Sequence, residues 1–189
     1  MKAEGRRRNA DGDDRYILIG GTLRPRLDSC FLRSLWLLPF RLLHPMDDWR
    51  SHLIEDDAGI RRVLAYSNRI AVLGIKTPDT RQPAYYVPQY VQRAGRDVVP
   101  VPVYYPEVTE ILGEKVYRRI ADIPGDVDLV NVFRRPKDIP PHVDDIIAKR
   151  PKAVWFQAGI RNDAAAERLA RAGIDVVQDR CLMVELQHL

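Results

Sequence analysis

The stretch Ile70-Ala71-Val72-Leu73-Gly74 and the loop behind it, Ile75-Lys76-Thr77-Pro78-Asp79-Thr80-Arg81-Gln82-Pro83, decide how the chain is read. Four consecutive apolar residues leave no polar face, so the run suits a strand buried on both sides of a parallel sheet. Gly74 permits a sharp exit from that strand. Pro78, Asp79 and Pro83 hold the next residues in a loop. A helix is expected from about Ala84 to Ala94, with Gly95 as its C-cap.

Working outward, the same alternation repeats. Val98 to Val103 reads as a second strand, shortened by Pro100 and Pro102. Glu107 to Leu112 reads as a short helix stopped by Gly113. Val116-Tyr117 and Ile120 to Pro124 form a connector. Asp128 to Phe133 is a third strand, and residues 138–149 are a helix opening around Pro140 and Pro141. Ala153 to Phe156 is a fourth strand. Asn162 or Asp163 caps a helix over Ala164 to Ala172 that Gly173 ends. Asp175 to Val177 is a fifth strand, and Leu182 to Val184 reads as a sixth short piece. Upstream, Trp49, Leu53, Ile54, Ile60, Val63 and Leu64 have the period of a leading amphipathic helix, broken near Gly59. Apolar strands alternating with helices predict an α/β fold, a Rossmann-like doubly wound parallel sheet with right-handed crossovers. It forms a single domain over residues 46–189 with an N-terminal extension over 1–45.

Composition bounds the function. The chain has 189 residues and is 46% hydrophobic, enough for one buried core, and only 8% aromatic, little for stacking on many bases. The whole net charge of +4 sits in residues 1–45, and residues 46–189 balance. A domain without a global basic field gives no reason to expect nucleic acid. No apolar run reaches the length of a membrane span, so no membrane partner is expected. Two cysteines, Cys30 and Cys181, make neither a disulfide framework nor a four-ligand zinc site, and no metal is expected. A reducing, cytoplasmic compartment follows. The head, with Arg6-Arg7-Arg8 and a Leu-rich stretch interrupted by Arg33, Pro39 and Arg41, fits neither a secretory signal nor a transit peptide. It reads either as a disordered extension or as sequence ahead of a start at Met46.

In an open α/β sheet the ligand crevice lies beyond the carboxyl ends of the strands, where the strand order reverses. The loops starting at Gly74, Pro102, Phe133 and Gln157 supply that edge here. After Gly74, a helix start offers main-chain N–H groups and a positive dipole end, suited to an anion. Lys76, Thr77 and Arg81 add charge and a hydroxyl. The dinucleotide signature G-x-G-x-x-G is missing, and the second strand ends on Pro102-Val103-Tyr104, with no carboxylate for ribose hydroxyls. Both features weigh against NAD. Arg134-Arg135 favours an extra phosphate over a free ribose diol.

At this point the chain resembles a known family. Ile70 to Gly74, a loop closing on Pro83, Tyr85-Tyr86-Val87 and Val99-Pro100-Val101 are similar to the opening of the CoA-binding domain family. Ile111-Leu112-Gly113, Val116-Tyr117, Ala121 to Pro124, Val127 to Arg135, Val154 to Gly159 and Val177 to Cys181 continue the resemblance in order, over about residues 50–185. The family is similar to the nucleotide-binding half of the succinyl-CoA ligase alpha subunit, occurring alone. The resemblance implies binding of coenzyme A with its ADP part over the first strand–helix turn. Gly74, Ile75, Lys76 and Thr77 would then cradle phosphate through the backbone, and Pro83, Ala84 and Tyr85 would open the helix beside it. Pro102 and Val103 would line the adenine side, and Val132, Phe133 and Arg134 the pantetheine or phosphate path. This chain departs from the family's pattern where many relatives carry a serine at Lys76, Arg-Pro-Ser at Gln82 to Ala84, and Asn-Pro at Val103-Tyr104.

Catalysis is less legible. The ligase relatives use a phosphorylated histidine in a second domain, which this chain lacks. His44, His52, His142 and His188 have no nearby nucleophile, and no G-x-S-x-G elbow occurs. Asp128 reads as a strand-start residue and Asp144-Asp145 as helix surface. Cys181 reads as a small, mostly buried residue at a strand end, or else as a thiol, beside Arg180, able to pair with the CoA sulfhydryl. The expectation is therefore non-catalytic binding of coenzyme A or an acyl-CoA-type nucleotide. The alternative is an NAD(P)- or CoA-dependent enzyme, an oxidoreductase or ligase component using the same crevice. A homo-oligomer or a protein partner is left open.

Overall fold

A computed structural model describes residues 48–189, together with the backbone strands β1 (Tyr16–Ile19) and β2 (Thr22–Pro25). The chain divides into two compact units, Met1–Met46 and Asp47–Leu189. In the first, β1 and β2 pair antiparallel, Ile17 opposite Arg24 and Leu18 opposite Leu23. The remaining expectations for residues 1–45 lie outside the described residues.

The second unit is built on a parallel sheet. Its strands are β3 (Arg69–Leu73), β4 (Asp97–Val101), β7 (Leu129–Val132), β8 (Ala153–Phe156) and β9 (Asp175–Val177), in the order β4-β3-β7-β8-β9. All four neighbouring pairs are parallel. Ala71, Leu73, Val130, Val132, Val154 and Phe156 point to one face, where they meet Val143 and Ile146 of α3 (Pro140–Lys149) and Leu169 of α4 (Asp163–Arg171). Ile70, Val72, Leu129, Ala153 and Trp155 point to the other. There they meet Ile60, Val63 and Leu64 of α1 (Asp57–Tyr66), Val87 and Val91 of α2 (Pro83–Arg93), and Leu182 of α5 (Leu182–Gln187). The fold is the expected α/β Rossmann-like sheet with helices on both faces. With this order the reversal falls between β3 and β7.

Three local expectations are corrected. Glu107–Leu112 is not a helix: β5 (Glu110–Ile111) and β6 (Glu114–Lys115) form an antiparallel hairpin turning on Leu112 (φ 58°) and Gly113 (φ 76°). Six residues containing Val108 and Thr109 nucleate a helix poorly, and the glycine read as a helix stop instead supplies a turn with both central φ values positive. Leu182 to Val184 is not a strand but the start of α5. Leu182, Met183 and Leu186 face the core at helical spacing, and Val184 stays exposed. The leading segment is broken near Gly59 but is not otherwise one helix, the break falling a few residues ahead of it. A 3-10 turn over Trp49–His52 gives way to Leu53-Ile54, which runs beside β9, with the Ile54 N–H on the Val176 carbonyl at 2.9 Å. Asp56 then caps α1, accepting from the Gly59 N–H at 3.2 Å. Gly59 belongs to the first turn of α1, where a Cβ would stand 2.6 Å from Ile54 Cγ2.

Both outer strands of the sheet are covered. Leu53-Ile54 lies along β9, and the Tyr117 N–H donates to the Pro100 carbonyl of β4 at 2.9 Å.

Candidate functional site

The site is assembled where β3, β4 and β7 end. Gly74 leaves β3 with φ 86°, and a Cβ there would lie 2.5 Å from the Phe133 carbonyl oxygen. Only glycine fits both the left-handed backbone and that approach. Three hydrogen bonds tie the strand ends: Gly74 N–H to the Val101 carbonyl at 2.8 Å, Phe133 N–H to the Leu73 carbonyl at 2.8 Å, and Tyr117 N–H to Pro100 as above.

The loop after Gly74 is held in an uncommon way. Pro88 lies inside α2 and has no N–H, so it cannot serve the Ala84 carbonyl four residues earlier. That carbonyl instead accepts the Lys76 N–H at 3.1 Å. Pro78–Thr80 forms one 3-10 turn, in which the Thr77 carbonyl accepts both the N–H (3.3 Å) and the hydroxyl (2.9 Å) of Thr80. The Gln82 carbonyl takes the N–H groups of Tyr85 and Tyr86. Among the described residues, the N–H groups of Ile75, Thr77 and Ala84 donate to no protein acceptor. With those of Asp79 and Gln82, which likewise have no protein acceptor among the described residues, they are the main-chain donors the loop presents, ahead of the N-terminal, electropositive end of α2.

Beside this loop is a cavity of about 500 Å³. Leu73, Val101, Pro102 and Val103 form its apolar side, Tyr104 and Pro106 its outer wall, and Ile120, Pro141 and His142 the opposite side. Arg118, Arg119, Asp144 and Asp145 stand around it. Most of these charges are engaged. Arg118 donates to the carbonyls of Tyr105, Pro106 and Val108. Asp145 accepts from Arg119 and from the N–H groups of Ile120 and Ala121. Asp144 pairs with Arg168.

Tyr104 gathers cations. The Lys76 ammonium lies 4.3 Å from its ring centroid and the Arg134 guanidinium 5.5 Å. Arg134, reaching the Tyr104 oxygen and adding its charge, holds the phenol below the ordinary tyrosine range. His142 is half-buried, and burial, helped by the Arg134 charge, lowers its imidazole below the ordinary 6.5. It is neutral near pH 7.

The expected site residues divide into groups. Gly74, Lys76, Thr77 and Ala84 meet at the loop and helix start, and Pro102 and Val103 line the cavity. Arg134 joins Lys76 at Tyr104. Ile75 and Val132 turn their side chains into the two cores, and Phe133 contacts the α2 face, so those three can offer a ligand only main chain. Pro83 opens α2, Tyr85 hydrogen-bonds Gln89, and Arg81 sits exposed at φ 53°. Tyr104 and His142 were not among the expected binding residues. A lone histidine on a helix gives no signal of its own, but Tyr104 follows the second strand end, where ligands of such sheets gather. Beneath the reversal point, the fully buried Asn131 accepts from Gln157 Nε2 at 2.9 Å. Cys181 is a partly buried free thiol at the N-cap position of α5, not at a strand end. Among the described residues, no cluster of His, Cys, Asp and Glu is arranged to hold a metal ion, and no helix is long and apolar enough to cross a membrane.

Comparison with known proteins agrees with the fold. The chain is 33% identical over 127 residues to the uncharacterized protein YneT of Bacillus subtilis (strain 168), covering 67% of this chain and 91% of that one. Among solved structures it is similar to the cell-free ID.343 protein of Thermus thermophilus, with 38% identity, TM-score 0.65 and coverage of 71% of this chain and 98% of that one. It is also similar to a hypothetical protein of Pyrococcus horikoshii OT3, with 33% identity, TM-score 0.65 and coverage of 78% and 96%. The sequence profile of the CoA binding domain matches residues 68–187, from just before β3 to the end of α5, and the chain belongs to that family.

Proposed function

We propose that this protein binds coenzyme A, or an acyl-CoA-type nucleotide, in the crevice at the ends of β3, β4 and β7, and that it does so as a binding module without chemistry of its own. The observation that carries the reading is the pairing of two features on one edge. A loop after Gly74 presents the N–H groups of Ile75, Thr77 and Ala84, and a cavity of about 500 Å³ lies beside it with the Lys76 and Arg134 cations at Tyr104. That volume falls within the range of small-ligand pockets. The main-chain donors suit a diphosphate. The apolar wall of Val101, Pro102 and Val103 suits an adenine, Phe133 the pantetheine path, and Arg134 a phosphate. Lys76 serves by the charge of its side chain, since its N–H is already given to Ala84.

The histidines support binding over catalysis. His52 donates from Nδ1 to the Asp175 carboxylate at 2.7 Å, at the opposite end of the sheet. Among the described residues lining the cavity with His142 there is no thiol and no serine or threonine hydroxyl. The free Cys181 thiol suits a reducing compartment, and the cytoplasm is the proposed location.

One observation favours a second reading. A neutral, half-buried His142 in a ligand-sized cavity has the properties of a general base in a CoA-dependent enzyme. Calorimetric titration with CoA, acetyl-CoA, NAD, NADP and ATP, followed by assay of each mixture for product, separates the two. Selective binding of CoA with no turnover is the expected result. NAD binding near micromolar, or release of free thiol from acetyl-CoA, overturns it.

A further inference from the structure

We propose that Lys76, Tyr104 and Arg134 together recognise a phosphomonoester on the ribose of an adenine nucleotide, so that the crevice selects a 3′-phosphorylated nucleotide over one with a free ribose diol. The inference rests on the CoA-type reading above and adds the part of the ligand that sets specificity.

Tyr104 lines the cavity and is 49% exposed. Its ring collects one cation from the loop after β3 and another from the loop after β7, at 4.3 and 5.5 Å. Two like charges from separate loops repel unless something between them holds both, and the ring face does so. The cations are thereby turned toward the β4 side of the crevice, the side of the cavity.

Arg134 has donor capacity to spare. Its side chain is only 13% exposed, and its one acidic contact, to Asp138, is long at 3.8 Å. Its Nε is buried with no acceptor among the described residues. Arg134 does not itself line the cavity but meets the cavity wall through Tyr104, and a largely buried guanidinium with no close carboxylate there points to an anionic ligand. The nearby carboxylates are already engaged: both oxygens of Asp145 accept, from Arg119 and two N–H groups, and Asp144 pairs with Arg168 at the surface. The end of β4, where a carboxylate would bind a ribose diol, carries Pro102, Val103 and Tyr104. The diphosphate has main-chain donors of its own, so the two side-chain cations serve a second anion.

Coenzyme A and dephospho-CoA differ by that phosphate alone, and calorimetry of both at one fixed ionic strength tests the idea. The wild-type protein is expected to bind CoA about tenfold or more tightly than dephospho-CoA, the size of a charge-assisted hydrogen bond. The ratio is expected to fall toward one in Lys76→Met and in Arg134→Gln. Tyr104→Leu should lower it too, although it removes no charge. Equal binding of the two nucleotides to the wild type overturns the proposal and leaves CoA binding standing. A wild-type ratio that survives in Lys76→Met and Tyr104→Leu overturns the assignment to these residues. Failure of both nucleotides to bind overturns the functional reading and this inference with it.

Discussion

Lys76 gives its main-chain N–H to the carbonyl of Ala84 at 3.1 Å, the carbonyl that Pro88 leaves without a helical partner. A residue that weakens α2 thereby becomes the reason the loop before it is held in place. The proline ring is buried, so it also contributes packing.

Pro88→Ala tests this link. The new N–H competes for the Ala84 carbonyl, and a proline in a helix interior is ordinarily about 3 kcal/mol worse than alanine. The expected gain in stability is well below that, because the Lys76 bond and the proline's packing are lost together. Hydrogen exchange should show the Lys76 amide losing protection while α2 gains it. Unchanged protection at Lys76 would separate the loop from the helix.

Gly74→Ala should be among the most damaging single changes in the domain. The added Cβ meets the Phe133 carbonyl at 2.5 Å on a backbone at φ 86°. Backbone on both sides of the contact cannot swing aside. A loss of about 2–4 kcal/mol is expected from urea unfolding, together with loss of CoA binding.

His142 makes stability depend on pH in the mildly acidic range. Its folded pKa lies below the ordinary value of 6.5, chiefly through burial. The unfolded chain therefore binds the proton more readily. The stability held by the neutral form is full above about pH 6.5 and declines as pH falls toward the folded value. His142→Gln should flatten that limb of the stability curve, and the His142 ring signal in NMR should titrate below 6.5 in the free protein. A phosphate-bearing ligand in the cavity offsets the Arg134 charge and should raise that midpoint.

Asp128 works in the opposite sense, at the amino ends of the strands. One of its oxygens accepts from the N–H groups of Asn68 (3.1 Å) and Arg69 (2.9 Å), and the other from Lys152 at 2.7 Å. Burial opposes its ionisation, but Lys152 and the two N–H groups outweigh that and lower its pKa. Its contribution is present above the unfolded carboxylate value, about 3.9, and disappears as pH falls through the folded one. Asp128→Asn should cost about 1–2 kcal/mol at pH 7, and the difference from wild type should shrink below about pH 4 in acid unfolding.

The parts of the fold that were legible are those in which local chemistry and burial agree. Ile70 to Leu73 and Ala153 to Phe156 are short apolar runs with turn residues at their ends, and they became central strands. Asn162 capped its helix as its side chain suggests, accepting from Ala165 at 2.9 Å. Gly113 was ambiguous because a positive-φ glycine ends a helix and turns a hairpin equally well. Leu182 to Val184 was ambiguous because three apolar residues have no period. At the site, the importance of Gly74 was visible from its place after the strand. Tyr104 and His142 were not, since the cavity is made by residues from four separate segments and only the folded sheet brings them together. Ile75, read as part of the phosphate cradle, shows the converse: its backbone belongs to the crevice and its side chain to the core.

The covered rims of the sheet decide how this protein can meet others. Along β9 the outermost rung is already claimed by Leu53-Ile54, and along β4 by the segment at Tyr117. A visiting strand would compete with these contacts for the rim, which disfavours stacking of copies through a continuous ribbon. What the domain leaves open to another molecule is side-chain relief, the helices and the crevice mouth, where the proposed nucleotide would change the shape and charge on offer.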